Sequence, residues 1–231
     1  MNVALILSGG RGSRMGLDTP KQYLEVCGRL VIEYSLSVLA ETAQIDAIQI
    51  VAEDRWREVI GKCLMKTDLN HKCRGISGPG VTRQLSILSG LRDINLYAPP
   101  ESAVIIHDAA RPGISRTLIE HSLAALDGHD GVLPVLPMKD TVYFSTAGQK
   151  VDQLLKRECV YAGQAPETFR LGTYLEANCA LLPDEILRIN GSTEPAVLAG
   201  LDIVMIPGEE QNYKITTEAD LRRFEQDLKE N

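Results

Sequence analysis

The amino-acid sequence predicts an α/β protein with a doubly wound, mostly parallel sheet, because apolar runs of strand length alternate with segments of helical spacing. Strands are predicted at 3–7, 47–52 and 103–106, and helices at 30–39 and 81–91. In a Rossmann-like sheet of this kind, ligands bind in the crevice at the carboxyl ends of the strands. The residues that follow each predicted strand are therefore the first candidates for a functional site.

The rest of the chain continues this alternation. A strand is predicted over 131–136, and its Pro134 favours an edge position or a bend, because proline cannot donate a ladder hydrogen bond. The other predicted elements are a helix over 54–64, a short strand over 74–76, a helix from the capping residue Ser115 to about 126, a helix over 170–182, a short helical piece over 195–200, a strand over 202–206 and a terminal helix capped by Thr217.

A change of pattern begins at residue 140. Segments 141–145 and 150–155 have strand character and flank a polar turn, which predicts a β-hairpin. A two-stranded ribbon has little stability by itself. We therefore predict one domain over 1–231, in which residues 140–159 form a β-arm that packs on a partner subunit; the alternative is a hairpin that lies on its own domain.

Composition and charge limit the class of protein. The chain has 231 residues, a formal net charge of -7 and 24% charged residues. This balance argues against a surface for nucleic acid or an anionic membrane, because both require a basic patch. The sequence has no signal-peptide pattern and no apolar run of membrane-spanning length, so we expect a cytoplasmic protein. Five scattered cysteines without a Cys-x-x-Cys pair indicate reduced, structural thiols.

A glycine-rich loop follows the first predicted strand. Its residues with possible phosphate contacts are Ser8, Gly9, Gly10, Gly12 and Ser13, followed by the cations Arg14 and Lys21. Glycine amides can approach phosphate oxygens closely, but the loop lacks the Gly-Lys-Ser/Thr of a P-loop, and Met15 replaces the third glycine of a dinucleotide fingerprint. Breaking a phosphoanhydride requires cations that stabilise charge on phosphate oxygens. The loop therefore predicts nucleotidyl transfer; the alternative is a glycine turn beside two solvated cations.

Three further residues can meet a phosphate or a metal. Asp108 follows the strand 103–106, where it can hold Mg²⁺ against triphosphate oxygens or accept a hydroxyl of a second substrate. Arg111 can pair with a phosphate, although an Asp-Arg pair that braces a turn fits the same residues. His107 is predicted to be packed rather than catalytic. Lys214 precedes the terminal helix, where it can hold a phosphate or lie exposed at the surface.

Several motifs occur together and in a fixed order. They are Gly9-Gly10-x-Gly12-x-Arg14-Met15, Pro20-Lys21-Gln22-Tyr23-Leu24, His107-Asp108-Ala109-Ala110-Arg111-Pro112, Asp140-Thr141, Gln164-Ala165-Pro166-Glu167-Thr168-Phe169 and Lys214-Ile215-Thr216-Thr217. This series resembles the cytidylyltransferases of the 2-C-methyl-D-erythritol 4-phosphate and ribitol-5-phosphate type over essentially the whole chain. The resemblance implies a homodimer with interlocking arms, in which CTP and a polyol phosphate, with Mg²⁺, give a CDP-polyol and pyrophosphate.

The resemblance also implies roles for individual residues. Those implied to bind the nucleotide are Ser8, Gly9, Gly10, Gly12, Ser13, Arg83, Ser86 and Asp108. Those implied to stabilise the transition state or hold phosphate are Arg14, Lys21 and Lys214. Those implied to meet the acceptor are Asp108, Arg111, Thr141 and Arg157, with Asp108 also near Mg²⁺. Because the acceptor phosphate is the nucleophile, positioning and charge stabilisation can supply most of the catalysis without a strong general base.

Two segments depart from the family pattern. Ala165-Pro166-Glu167 stands where the family usually has Thr-Pro-Gln, and 192–195 reads Ser-Thr-Glu-Pro where methylerythritol enzymes commonly have Thr-Asp-Glu-Ala. We predict that Glu167 borders the acceptor pocket, keeps the acceptor phosphate near Arg157 and Lys214, and leaves CTP on the opposite wall. The alternative is a carboxylate that caps a helix beginning near Thr168.

The acceptor and the activity have alternatives. The segment 107–112 favours a methylerythritol phosphate acceptor and isoprenoid precursor synthesis, whereas Gly9-Gly10 and 163–170 favour ribitol phosphate and CDP-ribitol for cell-wall or capsule polymers. A sugar-nucleotide pyrophosphorylase for another nucleobase is a further candidate. The candidate of another class is a catalytically inactive nucleotide-binding regulatory subunit. The cations at the expected site argue against it, because a protein that only binds a nucleotide does not need cations at the bond that is broken.

Overall fold

A computed structural model gives the structure of residues 1–10, 19–69 and 71–230. Its strands are β1 (Asn2–Leu7), β2 (Glu25–Val26), β3 (Arg29–Leu30), β4 (Ala47–Val51), β5 (Cys73–Ser77), β6 (Ala103–Asp108), β7 (Gly131–Pro137), β8 (Tyr143–Phe144), β9 (Gln153–Leu154), β10 (Tyr161–Gly163), β11 (Glu167–Arg170) and β12 (Ile203–Pro207). Its α-helices are α1 (Val31–Glu41), α2 (Arg57–Lys66), α3 (Arg83–Ile94), α4 (Arg116–Ala125), α5 (Leu171–Ala180), α6 (Glu194–Leu198) and α7 (Glu218–Glu230). Short 3-10 helices cover Lys21–Tyr23, Asp54–Trp56, Arg157–Cys159 and Glu185–Arg188.

The central sheet has a parallel core, as predicted. In the part of the chain that the structure describes, the strand order is β10-β7-β11-β6-β1-β4-β5, and β12 pairs with β7. Strand β1 runs parallel to β4 and β6, and β4 runs parallel to β5. The register places Leu7 beside both Val51 and Asp108. Strands β1, β4 and β6 therefore end together, and the loops that leave them surround one crevice.

Alternate residues of β1 are buried on opposite faces of the sheet. Ala4 and Ile6 pack in one apolar cluster with α1, α2 and α4, whereas Val3 and Leu5 pack in a second cluster with α3 and α5. Strands covered on both faces have continuous apolar sequences. This double burial explains why the strand gave so clear a sequence signal.

The helix ends confirm two predicted caps. Ser115 Oγ accepts a hydrogen bond from Leu118 N at 2.9 Å, and Thr217 Oγ1 accepts one from Asp220 N at 3.2 Å. These bonds satisfy amide groups that the first turn of a helix leaves unpaired. None of the described helices combines the length and the hydropathy that a membrane crossing requires.

Strand β11 departs from the predicted fold. It runs antiparallel between β6 and β7, and helix α5 begins only at Leu171. The alternative helix near Thr168 is therefore wrong, and so is a helix-capping role for Glu167, because both residues are buried in the strand. A four-residue segment with a charged residue at each end has neither an apolar run nor a clear alternation. The sequence pattern consequently gave no sign of this strand.

Pro134 was predicted to favour an edge position or a bend, and the edge position is wrong. Strand β7 pairs with β12 on one side and with both β10 and β11 on the other. Strand β11 pairs with Gly131 and Val132, whereas β10 pairs with 135–137, so Pro134 lies where β7 changes partner. A residue without an amide hydrogen is tolerated at this interruption of the ladder.

Strands β8 and β9 confirm the predicted hairpin. They form a two-stranded sheet separate from the central sheet, with Tyr143 opposite Leu154 and Phe144 opposite Gln153. The side chains of Tyr143, Phe144 and Leu154 are 50–61% exposed. Packing of this arm on a partner subunit stays a prediction.

Candidate active site

A cavity of about 670 Å³ opens where the parallel strands end. Its walls come from the loops after β1, β4, β5 and β6 and from the segment before α7. The predicted site residues that line it are Gly9, Gly10, Lys21, Arg83, Ser86, Asp108 and Lys214. The fold therefore brings together residues that are more than 200 positions apart in the sequence.

One wall is the beginning of the glycine-rich loop. Gly9 packs so closely on the loop after β5 that a Cβ at this position would lie 2.7 Å from the Cβ of Pro79. Gln22 Nε2 donates hydrogen bonds to Ser8 O at 2.7 Å and to Gly10 O at 3.0 Å. These contacts fix the backbone of residues 8–10 at the cavity. The predicted phosphate contacts of Gly12, Ser13 and Arg14 fall outside the described residues.

Ser8 supports this wall from behind. Its hydroxyl donates to Tyr23 Oη at 2.7 Å, and Tyr23 stacks on Trp56 with ring centroids 4.1 Å apart. Burial raises the pKa of Tyr23 to about 12, so the phenol is neutral at ordinary pH. The Ser8 hydroxyl is therefore turned toward Tyr23 rather than toward the cavity.

The start of α3 forms a second wall. Thr82 Oγ1 accepts from Leu85 N at 3.1 Å, and Ser86 Oγ accepts from Gly80 N at 3.0 Å and donates to Thr82 O at 2.9 Å. Arg83, the first residue of the helix, lines the cavity beside this cap. A helix N-terminus and a guanidinium both favour negative charge. This wall therefore suits an anionic ligand.

Asp108 meets three cations, of which Arg83 and Lys214 line the cavity. Lys214 Nζ donates to Asp108 Oδ2 at 2.8 Å, Arg83 Nε donates to Oδ1 at 3.2 Å, and Arg111 Nε lies 3.7 Å from Oδ2. Burial alone would raise the pKa of Asp108, but the charges of Arg83, Lys214 and Arg111 outweigh burial and hold the pKa well below its ordinary value. Asp108 is therefore a fixed negative charge that orients cations.

Arg111 is placed behind Asp108 and does not line the cavity. Its Nη1 donates to Asn212 O at 2.8 Å, while its own carbonyl accepts from Ser35 Oγ at 3.2 Å and lies 3.1 Å from His107 Nε2. Burial lowers the pKa of His107 to about 4, so the ring is neutral and can donate from Nε2. His107 is packed, as predicted. It fixes the turn that carries Arg111.

Glu167 lies on β11 next to Arg83. Its Oε1 accepts a hydrogen bond from Ser192 Oγ, and its Oε2 lies 3.9 Å from Arg83 Nη2. Glu167 does not line the cavity. Arg83 lies near Glu167 and also lines the cavity, and the expectation that the nucleotide lies on the wall opposite Glu167 stays a prediction.

The predicted acceptor residues Thr141 and Arg157 belong to the arm and its base. Both are exposed, and Arg157 Nη1 donates to Lys139 O at 2.9 Å. Neither residue lines the cavity of its own chain. Their contact with an acceptor stays a prediction.

The donor set bears on the predicted Mg²⁺. The described residues contain no cluster of three or more His, Cys, Asp or Glu side chains that could hold a metal ion. Mg²⁺ in nucleotide sites is commonly held by one or two carboxylates together with substrate phosphates. Asp108 supplies one such carboxylate at the cavity, and both of its oxygens also accept from cations. These residues fit an ion that takes most of its ligands from a triphosphate.

Some supporting residues were missed at the sequence level. Gln22 belongs to a motif that was recognised, but its two hydrogen bonds to the loop were not predicted. The contact between Gly9 and Pro79, in the segment 77–80, was not predicted either. A proline and two glycines directly after a predicted parallel strand were the available signal for this wall.

Comparison with known proteins decides the family. The family model described as 2-C-methyl-D-erythritol 4-phosphate cytidylyltransferase, IspD, matches residues 2–230. The chain belongs to the IspD family. This membership confirms the resemblance that the ordered motifs indicated.

The curated relatives of this IspD-family chain carry different names. The 2-C-methyl-D-erythritol 4-phosphate cytidylyltransferase of Rubrobacter xylanophilus is 35% identical over 226 residues, which cover 95% of this chain and 91% of the relative. The bifunctional ribulose 5-phosphate reductase/CDP-ribitol pyrophosphorylase Bcs1 of Haemophilus influenzae is 33% identical, with coverage of 95% and 46%. The bifunctional enzyme IspD/IspF of Paramagnetospirillum magneticum is 34% identical, with coverage of 96% and 55%. The chain thus spans about half the length of the bifunctional relatives.

Solved structures confirm the Rossmann-like nucleotidyltransferase fold. The 4-diphosphocytidyl-2C-methyl-D-erythritol synthase from Anaerococcus prevotii superposes with a TM-score of 0.85 at 26% identity, covering 99% of this chain and 96% of that one. The 2-C-methyl-D-erythritol 4-phosphate cytidylyltransferase from Thermus thermophilus gives a TM-score of 0.74 at 22% identity, with coverage of 97% and 98%. The second likeness bears on the fold alone.

Proposed function

We propose that the protein is a cytidylyltransferase that joins CTP and 2-C-methyl-D-erythritol 4-phosphate and releases pyrophosphate, a step of isoprenoid precursor synthesis. The observation that carries the proposal is the meeting of Lys21, Arg83, Asp108 and Lys214 in one cavity, which Gly9 and Gly10 also line. Cations fixed in a cavity neutralise a triphosphate and stabilise charge that develops on its oxygens. The family match and the name of the Rubrobacter relative support the nucleotide and the acceptor.

In the proposed reaction the acceptor phosphate attacks the α-phosphorus of CTP. A new P–O bond forms to an acceptor oxygen, the bond to the bridging oxygen of the β-phosphate breaks, and pyrophosphate leaves with the electron pair. A phosphate monoester is ionised at neutral pH, so no general base has to remove a proton. Lys21, together with Arg14 by the family resemblance, would stabilise charge at the α-phosphate. Asp108 would keep Arg83 and Lys214 oriented, since both donate to its carboxylate.

The proposal includes Mg²⁺, which supplies charge neutralisation of the triphosphate when it is bound. Asp108 is the protein ligand that we assign to it, because its carboxylate lies at the cavity. Activity should then require Mg²⁺, and CTP binding by the metal-free protein should be weaker but measurable.

We infer that the acceptor site is completed by a second subunit in a cytoplasmic homodimer. The arm presents exposed Tyr143 and Phe144, which would become buried on a partner. Thr141 and Arg157 lie at the two ends of the arm and would then reach the cavity of the partner. By the family resemblance Arg111 would meet the acceptor from within the same chain, which requires the acceptor to reach past the cavity lining to the position of Arg111 behind Asp108.

A second acceptor is supported by one observation. The CDP-ribitol pyrophosphorylase relative is 33% identical over 95% of this chain, close to the 35% of the methylerythritol phosphate relative. Sequence identity therefore does not separate the two acceptors. Ribitol 5-phosphate is the second candidate.

A pyrophosphate-release screen tests the proposal. Four nucleoside triphosphates would be combined with 2-C-methyl-D-erythritol 4-phosphate, ribitol 5-phosphate and other polyol and sugar phosphates. We expect release with CTP and methylerythritol phosphate, with kcat/KM at least about tenfold above that for ribitol phosphate. A reversed preference would assign the second acceptor. CTP binding without turnover on any acceptor would instead indicate the regulatory subunit.

A further inference from the structure

Two buried carboxylates flank Arg83. In the antiparallel register of β11 and β6, Glu167 lies opposite Ile106, and Asp108 follows two residues later on β6. Residues opposite each other and residues two apart on a strand point to the same face of a sheet. Both carboxylates therefore point to the face that α3 covers, and α3 begins with Arg83. Asp108 Oδ1 lies 3.1 Å from Arg83 Nη2, and Glu167 Oε2 lies 3.9 Å from the same nitrogen.

Glu167 is held in place from the side away from the cavity. Ser192 Oγ donates to its Oε1, and the carbonyl of Ser192 accepts a hydrogen bond from the Tyr174 hydroxyl at 2.5 Å. Ser192 and Tyr174 are both fully buried. The carboxylate therefore cannot turn freely, and its second oxygen faces Arg83.

The second oxygen of Glu167 is buried without a hydrogen-bond partner among the described residues. An ionised carboxylate that is buried without a hydrogen bond or an opposite charge is strongly unfavourable. The nearest compensating charge is the Arg83 guanidinium. Burial raises the pKa of Glu167, although the charge of Arg83 opposes that shift. The charge of Arg111 also opposes the rise in the pKa of Glu167, whereas the charge of Asp108 adds to it.

The Asp108 carboxylate accepts hydrogen bonds from more than one cation. It accepts from Lys214 as well as from Arg83, and it also faces the cavity. A ligand that engages Asp108 or Lys214 competes directly for the contacts that hold Arg83. Glu167 does not line the cavity, so its contact with Arg83 does not face this competition.

We propose that Glu167 is a positioning residue, which holds Arg83 at the cavity wall from behind and keeps it there when a nucleotide engages Asp108 and Lys214. The inference rests on the proposed function, because that function places a nucleotide in this cavity. Glu167 touches neither substrate in this role. It acts on nucleotide binding through Arg83, with Ser192 as the residue that orients it.

The first test needs no ligand. In protein labelled with ¹⁵N-arginine, the Nε–H resonance of Arg83 is assigned by its loss in Arg83→Lys, and its exchange with solvent is measured. Glu167→Gln, which preserves the size of the side chain, should speed this exchange at least about fivefold, and Ser192→Ala should speed it to a smaller degree. Glu176→Gln, an exposed carboxylate on the neighbouring helix α5, should leave it unchanged. Unchanged exchange in a folded Glu167→Gln protein would overturn the inference even if the nucleotide assignment is correct.

The second test is a double-mutant cycle on CTP binding, measured by calorimetry. Glu167→Gln should raise the Kd for CTP about tenfold in the otherwise native chain, and less than twofold in an Arg83→Ala background. This non-additivity is expected only if Glu167 acts through Arg83. Equal fold-changes in the two backgrounds would overturn the positioning role. If the nucleotide screen selects another triphosphate, the cycle is run with that triphosphate, so an error in the proposed function does not hide the outcome.

Discussion

Asp108 accepts hydrogen bonds from Lys214 and Arg83 and lies close to Arg111. A carboxylate in this setting stays ionised at neutral pH, because its neighbours hold its pKa well below the ordinary value. It consequently orients cations and carries no proton during the reaction. The proposed nucleophile is a phosphate that is already ionised, so the reaction needs no residue that accepts a proton from it.

His107 provides a prediction about pH and stability. Burial lowers its pKa in the folded protein to about 4 from an ordinary value of 6.5. Between these values the unfolded chain binds a proton that the folded protein does not, so the free energy of unfolding falls as the pH drops through this window. At 1.36 kcal/mol per pH unit, the loss between pH 6.5 and 5 is about 2 kcal/mol.

Urea unfolding at pH 7.5 and pH 5.0 measures this contribution. His107→Gln should lower the free energy of unfolding at both pH values, but glutamine does not take up a proton. Its free energy of unfolding should therefore fall by about 2 kcal/mol less than that of the native chain between pH 7.5 and pH 5.0. His121→Gln, at an exposed histidine on α4, is the matched control and should follow the native chain. Equal losses in the native chain and in His107→Gln would show that His107 does not stay neutral when the protein folds.

At the scale of elements, the cavity depends on the contact between the loops that follow β1 and β5. Gly9→Ala would place a Cβ 2.7 Å from the Cβ of Pro79, a rigid side chain, and so force the two loops apart. We expect the Kd for CTP to rise at least about tenfold by calorimetry. Gly61→Ala on α2 is the matched control, because a Cβ there meets nothing within 4 Å. CTP binding by Gly9→Ala at native affinity would contradict the proposed role of this wall.

The arm provides a second prediction at this scale. Replacing 143–154 by a short glycine linker removes β8 and β9 and their exposed Tyr143, Phe144 and Leu154. We expect the native chain to sediment as a dimer and the variant as a monomer, because the arm carries the proposed contacts between subunits. The monomer should retain CTP binding, since the arm does not line the cavity of its own chain. An intact dimer after the replacement would remove the arm from the interface.

At the scale of the whole molecule, local sequence patterns predicted the parallel core of the sheet, but they did not predict strands that depend on non-local pairing. The apolar runs of β1, β4 and β6 are buried on both faces and therefore stand out in the sequence. Strand β11 has only four residues, two of them charged, and is stabilised by pairing with β6 and β7. That pairing cannot be read from the segment itself.

The candidate site shows the same difference between residues that local patterns predict and residues whose position depends on non-local pairing. Gly9, Lys21, Asp108 and Lys214 were predicted because each follows a strand or precedes a helix, and such positions converge at one edge of a parallel sheet. The position of Glu167 behind Arg83 was not predicted, because it depends on the register of β11. Long-range register fixes which side chains meet, whereas sequence periodicity reports only how each segment is buried.

The central claim is that cations in the cavity stabilise the transition state of cytidylyl transfer. Lys21→Ala tests it most directly. Its single-turnover rate is measured with saturating CTP, methylerythritol phosphate and Mg²⁺, and its affinity for CTP is measured separately by calorimetry. Lys62→Ala, an exposed lysine paired with Glu58 on α2, is the control. We predict that Lys21→Ala lowers the single-turnover rate at least about a hundredfold and raises the Kd for CTP less than about tenfold, because a group that acts mainly in the transition state contributes little to ground-state binding. A near-native rate in Lys21→Ala at saturating CTP would contradict the account.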